Sequence, residues 1–300
     1  MPTTDARAEG ATWSVRDGLA TLDEPALLLK EALDAVFTRW AAEAGARRRG
    51  YPPLLRAEDL RTLDYFRNFP HLGSPVTRIR PDRLAAHAAG PPDEHTPPGE
   101  HAPPAGDALP AGDLAPATHL LPSAACYGCF LDLSDTDLDT PLLITTAAQC
   151  FRNEDRHDGL RRLWGFTMRE IVCVGSADTV RAHLDRHRDR ITAFGTALGL
   201  PLERRPATDP FFEKDGRRTV MQLLAPVKDE YLHTDGTAVA STNNHRNFFG
   251  ERRAIRHAGR PAFTGCVAFG LERWVHALGD RHDGDLTAAL HAVRRAGARS

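Results

Sequence analysis

The chain has 300 residues, 41% of them hydrophobic, and a formal net charge of -2 at pH 7. Domains of about 100–200 residues are usual, so this length allows one large core or two modest ones. A nearly neutral chain argues against a protein that wraps nucleic acid. No apolar run approaches the roughly 20 residues that a membrane-spanning helix needs, so we expect a soluble, cytoplasmic protein.

The predicted elements begin after a weakly patterned N-terminal arm, residues 1–20, which we expect to be flexible or to form a short edge element. The capping-box spacing of Thr21 and Glu24 precedes apolar residues at helical period. These features predict an amphipathic helix over residues 23–50, which Gly50 and the following Tyr-Pro-Pro end.

Two further segments precede the middle of the chain. Apolar and aromatic residues over 60–70 predict a short helix and a loop. Residues from about 86 to 118 are rich in Pro, Ala and Gly, and they are poor in large apolar side chains that could offset ordering entropy. We therefore expect a flexible insertion without a catalytic role, within a single catalytic domain over residues 21–300.

The remaining two thirds of the chain mix strand and helix patterns, without an internal repeat. The predicted strands cover residues 141–151, 163–174, 219–226, 237–242 and 261–269, and the predicted helices cover residues 178–198 and 271–278. Strands that dominate the middle, with helices around them, indicate an α+β fold in which helices flank an antiparallel sheet.

Two arginines lie where a bound nucleotide could use them. Arg152 follows a predicted strand in the run Phe-Arg-Asn-Glu, and Arg273 ends the run Phe-Gly-Leu-Glu-Arg, where a strand leads into a helix. Arginine stays charged and pairs bidentately with phosphate oxygens. Either segment alone is more often solvated surface, so the prediction depends on their combination.

These segments resemble motifs 2 and 3 of the class II aminoacyl-tRNA synthetases, in the family's order. The resemblance implies the fold of that family, ATP as a substrate, and a role for each motif residue. Arg152 would hold the α-phosphate and Glu154 the adenine amino group. Phe166 would stack on the adenine, and Arg273 would contact the γ-phosphate.

The same resemblance extends to a metal ion and to assembly. The predicted helix over residues 23–50 resembles motif 1, which implies a homodimer through this region. Mg²⁺ needs carboxylate ligands beside the phosphates, and Glu230 is the candidate by family position. Asp229 and Glu230 could equally form a solvated turn.

A closer resemblance concerns three residues that lie far apart in the sequence. The segments around Cys126, Glu170 and Cys266 resemble the zinc-binding segments of the amino acid:carrier-protein ligases, which are homologues of the atypical seryl-tRNA synthetases of methanogens. Residues 65–72 and 241–250 also resemble segments of that subfamily. The resemblance implies a Zn²⁺ ion held by two thiolates and a carboxylate, with one position open for the amino group of a substrate.

The cysteines leave alternatives open. The chain has five of them, an odd number that does not suggest a disulfide framework. Cys126 and Cys129 form a C-x-x-C, so a redox pair or a metal site that uses Cys129 competes with the set above. All three ligand candidates could also be core residues, as we expect for Cys150 and Cys173.

The implied reaction is the ATP-dependent activation of a small amino acid, glycine or alanine, as an aminoacyl adenylate, followed by transfer to the phosphopantetheine thiol of a carrier protein. Asn243 and His245 are candidates for the amino-acid pocket. Arginine-rich segments at residues 180–190 and 251–260 suggest either a basic docking face for an acidic carrier protein or ordinary solvated surface. The alternatives are transfer to tRNA or another amine, which the expected lack of a tRNA-binding element disfavours, and a non-catalytic regulatory module.

Overall fold

The computed structural model describes residues 12–88, 108–209, 212 and 227–298. The strands are β1 (Trp13–Arg16), β2 (Leu19–Leu22), β3 (Arg47–Arg48), β4 (Leu55–Arg56), β5 (Ser74–Val76), β6 (His119–Leu121), β7 (Asp137–Leu138), β8 (Leu142–Phe151), β9 (Gly165–Gly175), β10 (Glu203–Ala207), β11 (Lys228–Leu232), β12 (Ala238–Arg246), β13 (Arg256–His257), β14 (Arg260–Pro261) and β15 (Phe263–Gly270). The helices are α1 (Glu24–Glu43), α2 (Ala57–Thr62), α3 (Tyr65–Asn68), α4 (Leu84–Ala88), α5 (Tyr127–Asp132), α6 (Ala177–Ala197), α7 (Phe248–Arg252), α8 (Leu271–Arg281) and α9 (Leu286–Gly297).

The main sheet is largely antiparallel. Its strands run in the order β1-β2-β9-β15-β12-β11-β10, and β8 also pairs with β9. Neighbouring strands are antiparallel along the series β8-β9-β15-β12-β11-β10. Only short parallel contacts join β2 to β9 and β3 to β8 within this sheet, as far as the structure describes it. The predicted α+β fold with an antiparallel sheet and flanking helices is therefore confirmed.

One face of the sheet carries the large core, which α1, α6 and α8 cover. Phe37 of α1 stacks on Phe269 of β15 with ring centroids 3.9 Å apart, and Trp40, Phe194 and Trp274 surround this pair. All five rings are almost completely buried. Aromatic side chains contribute large buried areas, so this cluster fixes the three helices on the sheet.

Two partly buried ion pairs reinforce the attachment of α1. Arg169 of β9 donates to both carboxylate oxygens of Asp34, at 2.7 Å each. Lys30 Nζ lies 2.7 Å from Glu272 Oε1 at the start of α8. These pairs hold α1 in register against the strand and the helix that carry the predicted motif residues.

The opposite face of the sheet is only partly covered. A smaller apolar cluster there includes Phe130 of α5 and Phe249 of α7, whose rings stack with centroids 3.8 Å apart. Because side chains alternate across a strand, residues between the core positions of β9, β12 and β15 point to this face. It is the face that holds the candidate site.

The N-terminal part of the structure departs from the prediction. Residues 13–22 form the β1–β2 hairpin at the sheet edge, so the arm predicted for residues 1–20 is a paired edge element over this part. Thr21 lies in β2, so the predicted capping box is wrong. Helix α1 also ends earlier than predicted, at Glu43, because Gly45 takes a φ of 81°.

The predicted insertion is ordered at both ends. Arg83 Nε donates to Asp113 Oδ1 at 2.7 Å, and His87 Nε2 lies 3.1 Å from Asp113 Oδ2. Residues 89–107, like the predicted strand at 219–226, lie outside the described residues. That residues 21–300 form one catalytic domain stays a prediction. Across the described ranges, the model contains no helix with the length and apolar character needed to cross a membrane.

Candidate active site

An open cavity of about 380 Å³ lies on the partly covered face of the sheet. Its walls come from β9, β12 and β15, together with α3, α5 and α7. Cavities of roughly 300–1,000 Å³ that combine apolar walls with a few polar groups are typical of small-molecule sites. We call this space the sheet cavity.

Strand register brings distant parts of the sequence together in the sheet cavity. Glu170 of β9 pairs with Ala268 of β15, which pairs with Ser241 of β12. In the neighbouring row, Cys266 pairs with Asn243. Paired residues of antiparallel strands point to the same face, so these side chains converge although long stretches of sequence separate them.

Cys126, Glu170 and Cys266 form a compact buried cluster at the base of the sheet cavity. Their ligand atoms all lie within 4.8 Å of one another. Glu170 Oε1 accepts hydrogen bonds from the backbone N–H groups of Ala125 at 2.9 Å and Cys126 at 3.3 Å. Glu170 Oε2 is buried and makes no hydrogen bond within the described part of the chain.

The cluster fits a zinc ion. Zinc–sulfur and zinc–oxygen distances of about 2.3 and 2.0–2.2 Å place tetrahedral ligand atoms roughly 3.5–3.8 Å apart, which the 4.8 Å limit on their separations allows. A buried carboxylate oxygen without a partner is costly, and a cation would supply that partner. Cysteine sulfur and glutamate oxygen are both zinc ligands, and three protein ligands leave one tetrahedral position open.

The two thiols have raised pKa values, which a bound cation would reverse. Mutual contact with Cys266 and burial raise the pKa of Cys126. For Cys266, the contact with Cys126 lowers the pKa, but burial and the Glu170 carboxylate raise it more, to about 11. Metal binding requires thiolates, so it would release protons from this cluster near neutral pH.

Asn243 and His245, the candidates for the amino-acid pocket, both line the sheet cavity, as does Cys266. Asn243 Nδ2 donates to Cys266 Sγ at 3.4 Å, and His245 Nε2 lies 3.6 Å from the same sulfur. Burial lowers the pKa of His245 to about 4, so its ring is neutral at physiological pH. A shift of register between Asn244 and Arg246 in β12 produces this placement of His245.

The other cysteines lie outside the cluster. Cys129 is fully buried in α5, with its thiol next to Tyr51, and burial raises its pKa to about 12. Cys150 and Cys173 are buried in β8 and β9. Of the two cysteines in the C-x-x-C, the structure thus places Cys126 with Glu170 and Cys266.

Arg152, Phe166 and Arg273 come together at the other end of the site. The guanidinium of Arg152 lies 5.1 Å from the centroid of the Phe166 ring, and its Nε donates to Ser123 O at 3.1 Å. Phe166, Arg273 and Glu154 line a small recess, which we call the nucleotide recess. Burial and the charge of Arg152 lower the pKa of Arg273 to about 10. The two guanidinium groups therefore lie on the same side of the molecule, close enough to repel each other.

The two predicted carboxylates of the nucleotide side already have partners. Glu154 forms an ion pair with Arg162 and would have to exchange it to bind an adenine amino group. Glu230 lies in strand β11, so the alternative of a solvated turn is wrong, and its Oε1 is 3.0 Å from Lys228 Nζ. The negative charges of both residues act on Arg273.

The predicted docking face is partly neutralised within the chain. Arg188 of α6 pairs with Asp229, and Arg190 pairs with Glu43. Arg252 pairs with Asp64. Helix α6 also covers the face of the sheet opposite the sheet cavity. This helix therefore does not border the cavity in which a carrier-borne thiol would react.

Two residues near Arg273 were not predicted from the sequence. The backbone carbonyl of Arg161 accepts a hydrogen bond from Arg273 Nε, and Asp235 forms an ion pair with the Arg161 side chain. The Asp-Gly pair at residues 235–236 does signal a hairpin turn between two strands. It does not signal what the aspartate binds, because its partners lie in two other segments of the chain.

The chain resembles known proteins along most of its length. It is 34% identical over 277 residues to amino acid–acyl-carrier-protein ligase 1 of Bradyrhizobium diazoefficiens, a match that covers 88% of this chain and 80% of that protein. It is 30% identical over 162 residues to the type-2 serine–tRNA ligase of Methanococcus aeolicus, covering 49% of this chain and 30% of that protein. No protein-family model matches the chain.

A solved structure supports the fold. The seryl-tRNA synthetase of M. kandleri, in complex with A. aeolicus tRNASec, superposes with a TM-score of 0.73 at 20% identity, covering 89% of this chain and 54% of that one. The chain thus has the fold of a class II synthetase catalytic core and spans about half of that enzyme's length. With the identity and coverage of its bacterial relative, this places the protein in the amino acid–acyl-carrier-protein ligase family.

Proposed function

We propose that this protein uses ATP to activate a small amino acid as an aminoacyl adenylate and transfers it to the phosphopantetheine thiol of a carrier protein. One observation carries the proposal: Arg152 and Arg273 converge beside Phe166, next to a cavity whose base is the Cys126–Glu170–Cys266 cluster. Family membership supports a carrier protein as the acceptor.

Activation needs mainly alignment and charge stabilisation. The amino acid carboxylate attacks the α-phosphorus of ATP, the bond to the bridging oxygen breaks, and pyrophosphate leaves with the electron pair. Arg152 would neutralise the α-phosphate and Arg273 the γ-phosphate, while Phe166 would support the adenine ring. Glu230 is the proposed carboxylate ligand for Mg²⁺, which neutralises phosphate charge when bound.

Cys126, Glu170 and Cys266 would hold Zn²⁺, which would offer an open position to the amino group of the amino acid. Asn243, which donates to Cys266 Sγ at 3.4 Å and to Ser241 Oγ at 3.1 Å, would fix the wall beside that position. Glycine and alanine are the substrates that we propose, and the support for them is the family resemblance. A homodimer through α1 is proposed on the same basis.

The first experiment is amino acid-dependent ATP–pyrophosphate exchange against all twenty amino acids, with zinc content measured on the same preparation. We expect exchange with glycine or alanine. The Arg152→Ala variant serves as the control without activation. A folded wild-type protein that exchanges with no amino acid would support the non-catalytic alternative.

The second experiment identifies the acceptor. Radiolabelled amino acid and ATP are mixed with the enzyme and either a phosphopantetheinylated carrier protein or total tRNA. We expect label on the carrier protein, in a thioester that neutral hydroxylamine releases, and no label on the same carrier protein without its phosphopantetheine arm. Labelling of tRNA alone would contradict the proposed acceptor.

A further inference from the structure

The turn between β11 and β12 carries an aspartate that joins three segments on the nucleotide side. Asp235 Oδ1 accepts the backbone N–H of Thr237 at 2.9 Å, which closes the turn. Asp235 Oδ2 lies 2.8 Å from His276 Nε2 of α8. It also forms an ion pair, at 3.2 Å, with Nε of Arg161, which lies in the loop that joins β8 to β9 and donates its hydrogen bond to Thr237 Oγ1 of the same turn. Oδ1 thus stabilises the turn itself, and Oδ2 contacts two segments that are distant in the sequence.

The contact with Arg161 leads directly to Arg273. The backbone carbonyl of Arg161 accepts a hydrogen bond from Arg273 Nε at 2.9 Å, and the carbonyl of Ala238 accepts one from Arg273 Nη1 at 3.1 Å. Ala238 is the first residue of β12 and follows the turn directly. Both carbonyls that orient the Arg273 guanidinium therefore lie on segments that Asp235 ties together.

The electrostatics of the turn favour a permanent anion at this position. Burial alone would raise the pKa of Asp235, but the hydrogen bonds from His276 and Thr237 lower it by a larger amount. The net effect is a pKa below the usual value of an aspartate. A carboxylate that stays charged gives Arg161 a constant partner. This ion pair adds to the hydrogen bond that Arg161 Nε donates to Thr237 Oγ1 at 3.1 Å, on the same turn.

We propose that Asp235 is a positioning residue for the nucleotide: it fixes the backbone at Arg161 and thereby aims the Arg273 guanidinium at the triphosphate. The inference rests on the phosphate-binding role of Arg273 in the proposed function. Within the described chain, Arg273 Nη2 makes no hydrogen bond, so this nitrogen is available to a ligand.

The structure supplies a matched control on the same turn. His233 Nε2 lies 2.8 Å from Asp280 Oδ2, so a second link joins the turn to α8. This link does not involve Arg161. Loss of either link should loosen the turn from the helix, but only loss of the Asp235 carboxylate should also remove the ion pair with Arg161 and leave that loop held to the turn by the Thr237 hydroxyl alone.

The experiment compares Asp235→Asn with Asp280→Asn in the full chain. Asparagine keeps an acceptor for the Thr237 N–H, but it is neutral and forms no ion pair with Arg161, and its amide nitrogen cannot accept from His276. Affinity for ATP with Mg²⁺ is measured by calorimetric titration without amino acid, and the KM values for ATP and for amino acid are measured by exchange. For Asp235→Asn we expect ATP affinity to fall, and the KM for ATP to rise, roughly 10- to 100-fold, because small displacements of a positioning group have effects of this size. The KM for amino acid should stay within a factor of about two, and Asp280→Asn should resemble the wild type.

Unchanged ATP affinity in Asp235→Asn would overturn the proposal, and so would equal losses in both variants, which would show that the turn only anchors α8. If Asp235→Asn does not fold, as judged by circular dichroism, Arg161→Gln takes its place. That substitution removes the guanidinium and leaves the turn intact, so normal ATP affinity there would also overturn the proposal. A wild-type protein that binds ATP but exchanges with no amino acid would contradict the proposed function without affecting this comparison.

Discussion

Two single cysteine substitutions should distinguish a metal site at Cys126, Glu170 and Cys266 from a metal site that uses Cys129. Cys266→Ala and Cys129→Ala each delete a buried sulfur, since the two residues are 3% and 0% exposed. Each deletion leaves a cavity of about the size of a methyl group, so each should cost about 1 kcal/mol of unfolding free energy in metal-free protein. Only Cys266 belongs to the cluster with Cys126 and Glu170.

Added zinc should then distinguish the variants. A ligand at about 100 times its Kd stabilises the folded state by about 2.7 kcal/mol. A change of 1 kcal/mol moves the Tm of a large domain by about 2–4 °C, so zinc should raise the Tm of the wild type and of Cys129→Ala by roughly 5–10 °C. Cys266→Ala should gain much less, because two ligands remain.

The assay is thermal unfolding of chelator-treated protein with and without zinc, with bound zinc counted by mass spectrometry. Equal zinc shifts in all three proteins would refute the assignment of Cys266 as a ligand. A shift lost in Cys129→Ala and kept in Cys266→Ala would favour a metal site built on Cys129 instead.

Three further predictions concern catalysis, packing and pH. Arg152→Ala should keep the fold but lose amino acid-dependent exchange by at least about 100-fold, since a preorganised charge is removed; normal exchange rates would contradict the nucleotide site. Gly250→Ala should destabilise the protein by more than about 2 kcal/mol in urea unfolding, because its Cβ would lie 2.2 Å from Ala262 O; an unchanged midpoint would contradict this packing. Burial lowers the pKa of His183 to about 3 and of His187 to about 4. Both values lie below the roughly 6.5 of a free imidazole, so the unfolded chain binds more protons, and stability should fall as the pH drops from about 6.5 towards 4; the loss should be smaller in His187→Leu, and an equal loss would contradict it.

The sequence predicted the central strands well because packing and local pattern agree there. Strands β8, β9 and β15 are long, and most residues of β9 and β15 are buried, so their apolar runs stand out. Strand β10, in contrast, has the sequence Glu-Arg-Arg-Pro-Ala and is almost fully exposed. An edge strand of this kind pairs through its backbone and leaves no apolar pattern, so the prediction missed it.

The end of α1 shows how two local signals can compete. Gly45 and Gly50 both permit a helix to stop, and the prediction chose the second because Tyr-Pro-Pro follows it. In the structure, the N–H of Ala46 donates to Ala41 O and that of Gly45 to Ala42 O, the pairing of a Schellman motif. Residues 47–48 then form β3, which pairs with β8, so they cannot extend the helix to Gly50. A long-range strand contact therefore decides between two stops that look alike in the sequence.

The candidate metal cluster could be named from the sequence only through resemblance, because its spacing carries no signal. Cys126 and Glu170 are 44 residues apart, and no local rule relates them. Cys126 and Cys129 are three residues apart, so a helical turn would place both on neighbouring positions of one face. Glu170 favours Cys126: its Oε1 accepts from the backbone N–H groups of Ala125 and Cys126, just before α5, which brings Cys126 rather than Cys129 beside the carboxylate. These hydrogen bonds place Cys126 in the cluster, and substitution of Glu170 should disturb the position of Cys126 as well as remove a proposed ligand.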